Sequence, residues 1–438
     1  MIMNKKNINI GIVGLGKIGS RLYKEILSKK NDIKIKTGTN VTITGISAKN
    51  INKKRSFKFN KKIFFKNALE ISKKKNIDIV FELIGHSDGI SKKVIELALK
   101  NKKHVITANK AIIAKHGDYL SLLAEKNKVN LEFEASVGGG IPILRTIKNG
   151  LSTNKINKVV GILNGTCNYI ISEMESSQDS FSNVLKRAQL LGYAEPRNPK
   201  FDLNGQDSLS KVRILSALAF NKKISKNNCL MDGIEGIEIE DIRIANKLNY
   251  KIKLLGITEI INDKLFERVH PTLIKKSNYI ANINGVMNAI IIDGKPVGQT
   301  ILQGEGAGPG PTSSALMSDL LSVLRGNIKY PFGSPYNKRK KISFFDINQY
   351  LNSFYLRLEV KDKRGVLSSI SKIFAKNKIS IKNLIQNPDK KNKKSSVTII
   401  THENSEKNYR NLIKNLSSNK FIIKKPISIR IEKNNVYR

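Results

Sequence analysis

Apolar positions along the chain switch between short continuous runs and helical spacing, which predicts an α/β protein. The run 8–13 is typical of a buried strand, and residues 17–27 continue with apolar positions three and four apart, as in an amphipathic helix. Further strands of this kind are predicted at 41–46, 77–84, 104–107 and 129–133. A helix at 91–100 separates two of them. Strands that alternate with helices favour a doubly wound parallel sheet in the N-terminal third.

A glycine motif lies directly between the first strand and the first helix. It reads Gly14, Leu15, Gly16, Lys17, Ile18, Gly19. In this strand–turn–helix context Gly14 permits the tight turn, Gly16 lets a pyrophosphate approach, and Gly19 lets helix and strand pack closely. The motif therefore predicts a Rossmann-type dinucleotide-binding domain, with the cofactor phosphates at the helix N-terminus.

The pattern changes after residue 142. Predicted strands at 158–162, 252–261, 265–271 and 286–293 favour an open mixed sheet in a second, α+β domain. A glycine-rich stretch, 304–312, then opens an apolar helix at 313–324. Residues 326–341 have the composition of a linker. The last segment reads strand–helix–strand–strand–helix–strand, which is the order of a ferredoxin-like domain.

Composition limits the class of protein. A chain of 438 residues with 40% hydrophobic residues is expected to form two or three domains. Its formal charge of +43 raises the alternative of a polyanion-binding protein, but the lysines are scattered, aromatic residues make up 6%, and tryptophan is absent. We therefore expect no specific nucleic-acid partner. Two cysteines, no signal-peptide pattern and no membrane-length apolar run predict a cytoplasmic protein with no membrane partner.

Cations follow the second predicted strand, where NAD-specific folds place a carboxylate for the ribose hydroxyls. The chain has Lys49 here, followed by Lys53, Lys54 and Arg55. Lysine and arginine attract a 2′-phosphate, which a carboxylate would repel. The expected cofactor is therefore NADP(H), with NAD as the alternative.

The segment 191–211 concentrates carboxylates and a lysine in a loop that runs into a helix. The helical spacing of the apolar residues after Gly205 puts Asp207 and Lys211 on one face. A surface ion pair is the plain interpretation of this spacing. A lysine whose pKa is lowered by burial can instead take and return the hydroxyl proton during hydride transfer, positioned by the nearby carboxylate.

These motifs, in this order along the whole chain, resemble the homoserine dehydrogenase family. The shared stretches are 107–110, 134–142, 163–169 and 191–211. The resemblance implies reversible oxidation of L-homoserine to L-aspartate 4-semialdehyde, a step in threonine, methionine and isoleucine biosynthesis. The run 195–202 is one residue longer than the usual form, which leaves its register open.

The resemblance also implies roles for single residues. Lys211 would be the proton donor and acceptor, Glu195 would take the substrate ammonium group, and Asp207 would help to hold the substrate. The residues implied at the cofactor or at the nicotinamide–substrate junction are Thr107, Lys110, Gly192 and Gly308, with Gly306 as the alternative to Gly308.

A monovalent cation, sodium in the family, is implied in the glycine-rich segment 134–142. Its ligands would be main-chain oxygens of Glu134, Val137, Gly139 and Ile141, and hard cations do prefer oxygen. From the residues alone, three successive glycines are more typical of a tight, close-packed hinge.

The C-terminal segment resembles an ACT regulatory domain, which implies a threonine effector and a homodimer or homotetramer. A ferredoxin-like module without a ligand is the alternative from topology alone. The expected domains are 1–142 for the cofactor (completed by 304–325), 143–303 for catalysis, 326–352 as linker and 353–438 as the ACT domain.

Three rival functions remain open from the sequence. The first is a related dehydrogenase of another small amino acid or semialdehyde. The second uses Cys167 as a thiol nucleophile at a helix N-terminus, with His270 as the base that folding would have to supply. The third is a polyanion-binding protein on an inactive dehydrogenase scaffold.

Overall fold

The structure, a computed structural model, describes residues 6–52, 55, 57–226, 229–326, 328–341, 343–389 and 393–432. Lys53 and Lys54 of the expected cation group lie outside these residues. Over the described part, the chain folds as two units. One comprises Met1–Gly165, Leu209–Asn228 and Met287–Ile342, and the other Thr166–Ser208, Cys229–Val286 and Ser343–Arg438. Searching the described residues finds no helix with the length and apolarity of a membrane span.

The first unit contains the predicted parallel sheet. Its elements are β1 Asn7–Val13, α1 Lys17–Ser28, α2 Lys30–Thr37, β2 Asn40–Ser47, α3 Ala68–Lys73, β3 Ile79–Glu82, α4 Ile90–Lys100, β4 His104–Thr107, α5 Lys110–Lys126, β5 Leu131–Glu132, α6 Ile143–Arg145 and β6 Lys155–Ile162. The strand order is β2-β1-β3-β4-β5, and every pair is parallel, which confirms the Rossmann-type prediction. Helix α2 was not predicted because only Ile33 of its eight residues is buried.

The middle of the chain supplies helices and long strands. These are α7 Gly165–Ser177, α8 Phe181–Leu190, α9 Lys200–Leu203, α10 Gln206–Ala219, β7 Leu230–Met231, α11 Ile239–Lys247, β8 Tyr250–Ile261, β9 Lys264–Lys275, β10 Met287–Lys295, β11 Gly298–Glu305 and α12 Pro309–Leu324. In the first unit β10 pairs antiparallel with both β6 and β11. In the second unit β8 and β9 form a hairpin of two twelve-residue strands.

The core of the nucleotide-binding sheet includes the returning helix α12. Its Leu316 and Leu320 are fully buried in the same apolar cluster as Ile8, Ile10 and Ile12 of β1. Helix α12 is therefore part of the nucleotide-binding domain, although it is far from β1 along the chain.

The C-terminal elements are β12 Leu351–Lys361, α13 Val366–Lys376, β13 Ile381–Asp389, β14 Lys394–Thr401, β15 Asn404–Ser405, α14 Glu406–Ser417 and β16 Ile427–Ile431. Apart from the two-residue β15, they confirm the predicted strand–helix–strand–strand–helix–strand order. In the second unit the sheet runs β8-β9-β16-β12-β14-β13. The parallel pairing of β16 with β9 therefore makes this C-terminal sheet continuous with the β8–β9 hairpin.

Residues 328–341, which belong to the predicted linker, pack within the first unit. The side chains of Phe332 and Arg339 are only 1% exposed. The Arg339 guanidinium donates to Asp118 at 2.7 Å and to the carbonyl of Lys222, and lies 4.1 Å from the centroid of the Phe332 ring. Proline and glycine content indicated irregular backbone correctly, but it carried no information about burial.

Candidate active site

The turn between β1 and α1 shows why its glycines are needed. Gly14 has φ +101°, and a Cβ there would lie 2.6 Å from the carbonyl oxygen of Leu83. A Cβ on Gly19 would lie 1.9 Å from the Gly14 carbonyl, so helix and strand touch at this point. A Cβ on Gly16 would meet nothing within 4 Å, and Gly16 caps α1 without a side-chain hydrogen bond. The helix N-terminus is thus open to a phosphate.

A cleft of about 1000 Å³ opens at this turn. Gly14, Leu15, Gly16, Lys49 and Arg55 line it, whereas Lys17, Ile18 and Gly19 do not. The polar lining residues that sequence reasoning missed include Asn50, Lys66, Asn67 and His86. The described lining residues include no aspartate or glutamate.

Arg55 is positioned by its own loop. Its guanidinium donates to the carbonyls of Ile51 at 3.0 Å and Asn50 at 2.8 Å, and lies 5.8 Å from the centroid of the Phe59 ring. Neither carbonyl is charged, so the positive charge of Arg55 is not neutralised by these contacts. Together with Lys49 and Lys66, it makes the cleft electropositive.

At the carboxyl edge of the sheet, a buried carboxylate organises the strand ends. Glu82 is 0% exposed and accepts from the amide of Ile84 and the hydroxyl of Thr107, both at 2.9 Å. The Asn109 side chain donates to the carbonyl of His86 and accepts from the amide of Ile112, which caps α5. The Thr107 hydroxyl therefore donates to Glu82 and also accepts from the amide of Asn109 at 3.0 Å, which holds it at the strand end.

Lys110, Gly306 and Gly308 differ in accessibility. Lys110 is the first residue of α5 and is half-buried. Gly308 is the exposed N-cap of α12, with φ +110° and no side-chain cap. Gly306 is buried, and a Cβ there would lie 2.0 Å from Nδ2 of Asn288. The geometry favours Gly308 over Gly306 as a residue that meets a ligand.

The segment 134–141 is a buried crossing of backbones. The Glu134 carboxylate accepts from the amides of Leu144 and Arg145 at 2.9 and 2.8 Å, and burial raises its pKa. A Cβ on Gly139 would lie 2.5 Å from the carbonyl of Gly306, which explains that glycine.

The expected cation site depends on the oxygen atoms that its four residues can offer. Glu134, Val137, Gly139 and Ile141 are all buried, and the Glu134 side chain is used by α6. Main-chain oxygens are thus what this segment offers, and uncharged oxygens in a buried site suit a hard monovalent cation. No group of three or more His, Cys, Asp or Glu side chains suited to a metal occurs in the described residues.

Helix α10 carries the two expected residues of the reaction. Asp207 and Lys211 are 4% and 7% exposed, one turn apart on the same helix. Lys211 Nζ donates to the carbonyl of Leu163, which directly follows β6. Burial rules out the solvated surface pair as an interpretation of this lysine and carboxylate.

The loop from Leu191 to Gly205 is tied at both ends by α7. The hydroxyl of Thr166 donates to the carbonyl of Tyr193, and the thiol of Cys167 donates to the carbonyl of Asp202 at 3.3 Å. Glu195 lies between these ties, Gly192 directly precedes the first of them, and both residues are exposed. Thr166 lies in the first turn of α7, and its hydroxyl binds the loop from there.

The Cys167 side chain is packed in the interior. It is 0% exposed, and a thiol that donates to a carbonyl is the protonated form. His270, the base considered for it, is also 0% exposed, with Nδ1 hydrogen-bonded to Thr272. This arrangement does not support the thiol-nucleophile hypothesis.

Sequence comparison relates most of the chain to known proteins. Family models match at 14–134 (homoserine dehydrogenase, NAD binding domain), 142–321 (homoserine dehydrogenase) and 354–420 (ACT domain). The homoserine dehydrogenase of Neisseria gonorrhoeae is 36% identical over 434 residues, which are 98% of this chain and 99% of that protein. The chain belongs to the homoserine dehydrogenase family.

Other homoserine dehydrogenases agree. The Helicobacter pylori protein is 38% identical over 432 residues, covering 98% of this chain and 100% of that one. A crystal structure of a homoserine dehydrogenase from Thiobacillus denitrificans matches with a TM-score of 0.88 at 34% identity, over 98% of this chain and 99% of that chain. The chain is thus a homoserine dehydrogenase-type oxidoreductase with a nicotinamide dinucleotide-binding domain and a C-terminal ACT domain, as the sequence motifs predicted.

Proposed function

We propose that the chain catalyses the reversible oxidation of L-homoserine to L-aspartate 4-semialdehyde with NADP, in threonine, methionine and isoleucine biosynthesis. The observation that carries the mechanism is the buried Asp207–Lys211 pair on α10. Ionisable side chains held in buried positions are enriched at catalytic sites, which supports acid–base work for these two residues.

The cofactor would be held by the cleft at the β1–α1 turn. Gly14, Gly16 and the open N-terminus of α1 would receive the pyrophosphate, and Lys49 and Arg55 the 2′-phosphate. Thr107, Lys110, Gly192 and Gly308 complete the proposed nicotinamide side. The bound nicotinamide supplies a hydride acceptor in oxidation and a hydride donor in reduction.

Lys211 would accept the proton in oxidation and donate it in reduction. In oxidation its Nζ, in the amine form, takes the hydroxyl proton of homoserine; in reduction it returns that proton to the aldehyde oxygen. The carbonyl of Leu163 holds Nζ in place during both directions. Asp207 and Lys110 would bind polar groups of the substrate near the reacting carbon. The exposed carboxylate of Glu195 would bind the substrate ammonium group by a charge-assisted hydrogen bond.

The test is the rate of NADPH formation from L-homoserine by the wild type, Lys211→Met and Lys186→Met. Removing the proton acceptor should lower kcat by about 10²–10⁴-fold, because that is the usual contribution of a positioned acid or base. Lys186 is an exposed lysine on α8 and serves as the matched control. Circular dichroism would show that all three fold. A Lys211→Met enzyme with kcat near that of the wild type would exclude this role.

Three further properties belong to the same proposal. Sodium would bind the oxygens of Glu134, Val137, Gly139 and Ile141. Threonine would be the effector of the ACT domain, and the assembly would be a homodimer or homotetramer. A cytoplasmic location is supported by the low number of cysteines, which are Cys167 and Cys229.

A further inference from the structure

Two short strands of the second unit share one edge of β9. Strand β8 pairs with β9 along its whole length and occupies the other edge. On the remaining edge, β7 pairs in parallel through Met231 with Val269, and β16 pairs in parallel through Arg430 with Thr272. The last strand of the ACT domain therefore lies end to end with the segment that follows β7.

Arg430 links the two strands through its side chain. It is 5% exposed, and its guanidinium is held by Glu406 of α14, with Nη2 2.6 Å from Oε1 and Nε 3.2 Å from Oε2. Its remaining nitrogen, Nη1, donates to Oδ2 of Asp232 at 2.7 Å. Asp232 is the first residue after β7, and its own amide donates to the carbonyl of Val269.

The residues next to Asp232 contact the end of the loop from Leu191 to Gly205. The amide of Ile234 donates to the carbonyl of Leu203 at 2.9 Å, and a Cβ on Gly233 would lie only 2.4 Å from that same oxygen. On the other side of the loop end, a Cβ on Gly205 would lie 3.0 Å from Val269 of β9. The segment after β7 and the loop end are thus in close contact on the Gly233 side, so a shift of Asp232 would press on the loop end.

We propose that Asp232 is a positioning residue through which Arg430 of the ACT domain fixes residues 203–205, and with them the substrate side chains on either side. Asp207 follows two residues after Gly205, and Glu195 precedes Leu203 in the same loop. The inference rests on the proposed substrate-binding roles of these two carboxylates. The ACT domain thus acts on homoserine binding through direct contact, even without an effector.

The Asp232 side chain is 54% exposed, which separates positioning from folding. A half-exposed ion pair contributes little to overall stability, whereas its geometry still constrains the backbone that carries it. Removing the charge at Asp232 leaves Arg430 paired with Glu406, so no buried charge is stranded. Asp232→Asn is therefore expected to fold.

The experiment measures steady-state kinetics and amide hydrogen exchange for Asp232→Asn, with Asp232→Glu as the conservative variant. We expect KM for homoserine to rise about five-fold in Asp232→Asn, the size of a lost partly exposed charge pair, with kcat within about two-fold and KM for NADP unchanged. Exchange at Ile234, whose amide bonds to Leu203, should be faster. Asp232→Glu should restore both toward wild-type values.

Arg410→Ala is the matched control. Arg410 also donates to Glu406, at 3.3 Å, but it is largely exposed and does not contact the segment after β7. Its loss should change neither KM nor exchange at Ile234. A double-mutant cycle with Arg430→Lys should show non-additive effects on KM with Asp232→Asn.

Two results would overturn the inference. One is an Asp232→Asn protein with wild-type KM and wild-type exchange at Ile234. The other is an Arg410→Ala protein that reproduces the Asp232→Asn changes. If the wild type failed to oxidise homoserine, the proposed function would fall, while the exchange comparison would still decide whether Arg430 holds the loop end through Asp232.

Discussion

The side-chain amide of Asn288 lies against the α-carbon of Gly306, where a Cβ would be 2.0 Å from Nδ2 and 2.1 Å from Cγ. Asn288 is 0% exposed, and neither of its polar side-chain atoms has a hydrogen-bond partner among the described residues. A side chain at position 306 would therefore meet an Asn288 side chain that is confined by its buried surroundings. This contact sets the path of the glycine-rich turn that leads to Gly308.

Gly306→Ala should consequently destabilise the protein by about 1–3 kcal/mol, the usual range for an added methyl in a tightly packed site. The displaced turn should also weaken NADPH binding. Urea unfolding and a binding titration measure the two effects. Gly310→Ala is the matched control because a Cβ there meets nothing within 4 Å. Equal stability of the two variants would contradict the role of Asn288.

Arg55→Ala should reduce the preference for NADP. The cleft has cations and no described carboxylate, so the proposed selectivity for NADP would arise from attraction to the 2′-phosphate. Losing one charge-assisted contact should raise KM for NADP about ten-fold and leave KM for NAD within about two-fold. Lys58→Ala, at an exposed lysine outside the cleft lining, is the control. A parallel loss with both cofactors would show that Arg55 acts only on the loop 50–55.

Sodium should raise the melting temperature above that in choline chloride at the same ionic strength. An ion that binds only the folded state stabilises it, by about 2.7 kcal/mol at a hundred-fold excess over Kd. Scanning calorimetry in sodium, potassium and choline chloride separates binding from general salt effects. Identical melting in all three salts would rule out the site at 134–141.

Lys253 should make stability depend on pH between about 7 and 10. It is 1% exposed, its ammonium donates to Asn168, Ile283 and Asn284, and burial lowers its pKa from 10.5 to about 7. The folded pKa lies below the unfolded one, so the unfolded state binds more protons in this range. The protein therefore loses stability as pH falls from about 10 to 7.

The comparison is urea unfolding of the wild type, Lys253→Met and Lys251→Met from pH 7 to 9.5. Lys253→Met should remove a pH-dependent change of a few kcal/mol, on the order of 1.4 kcal/mol per pH unit of pKa difference. Lys251, on the same strand and paired with Glu175 at 3.5 Å, adds to the lowering of the Lys253 pKa, so Lys251→Met should reduce the slope without removing it. An unchanged slope in Lys253→Met would assign the pH dependence elsewhere.

Local patterns predicted most of the elements. Apolar runs placed β1, β2 and β4 within about one residue of their ends, because a buried parallel strand needs nearly continuous apolar side chains. They missed α2, whose exposed lysines carry no apolar stripe, and β11, most of whose side chains are not buried. The C-terminal ferredoxin-like order also followed from strand and helix periods alone.

The candidate site was predictable where one short segment builds it. The glycines of the first turn and the i, i+4 pair Asp207 and Lys211 belong to single local structures, so spacing located them. Lys66 and His86 in the cleft come from separate loops, and no spacing rule connects them to Gly14.

The amino-acid sequence alone thus determined the class of fold, the cofactor turn and the likeness to homoserine dehydrogenases. Each of these follows from hydrophobic spacing and motifs within short segments of the chain. Only the tertiary structure decided which polar groups are buried and what they bind: Arg430 with Asp232, Lys211 with the carbonyl of Leu163, and Asn288 against Gly306. Arg430 and Asp232, and likewise Lys211 and Leu163, are far apart along the chain, whereas Asn288 and Gly306 meet because β11 pairs antiparallel with β10.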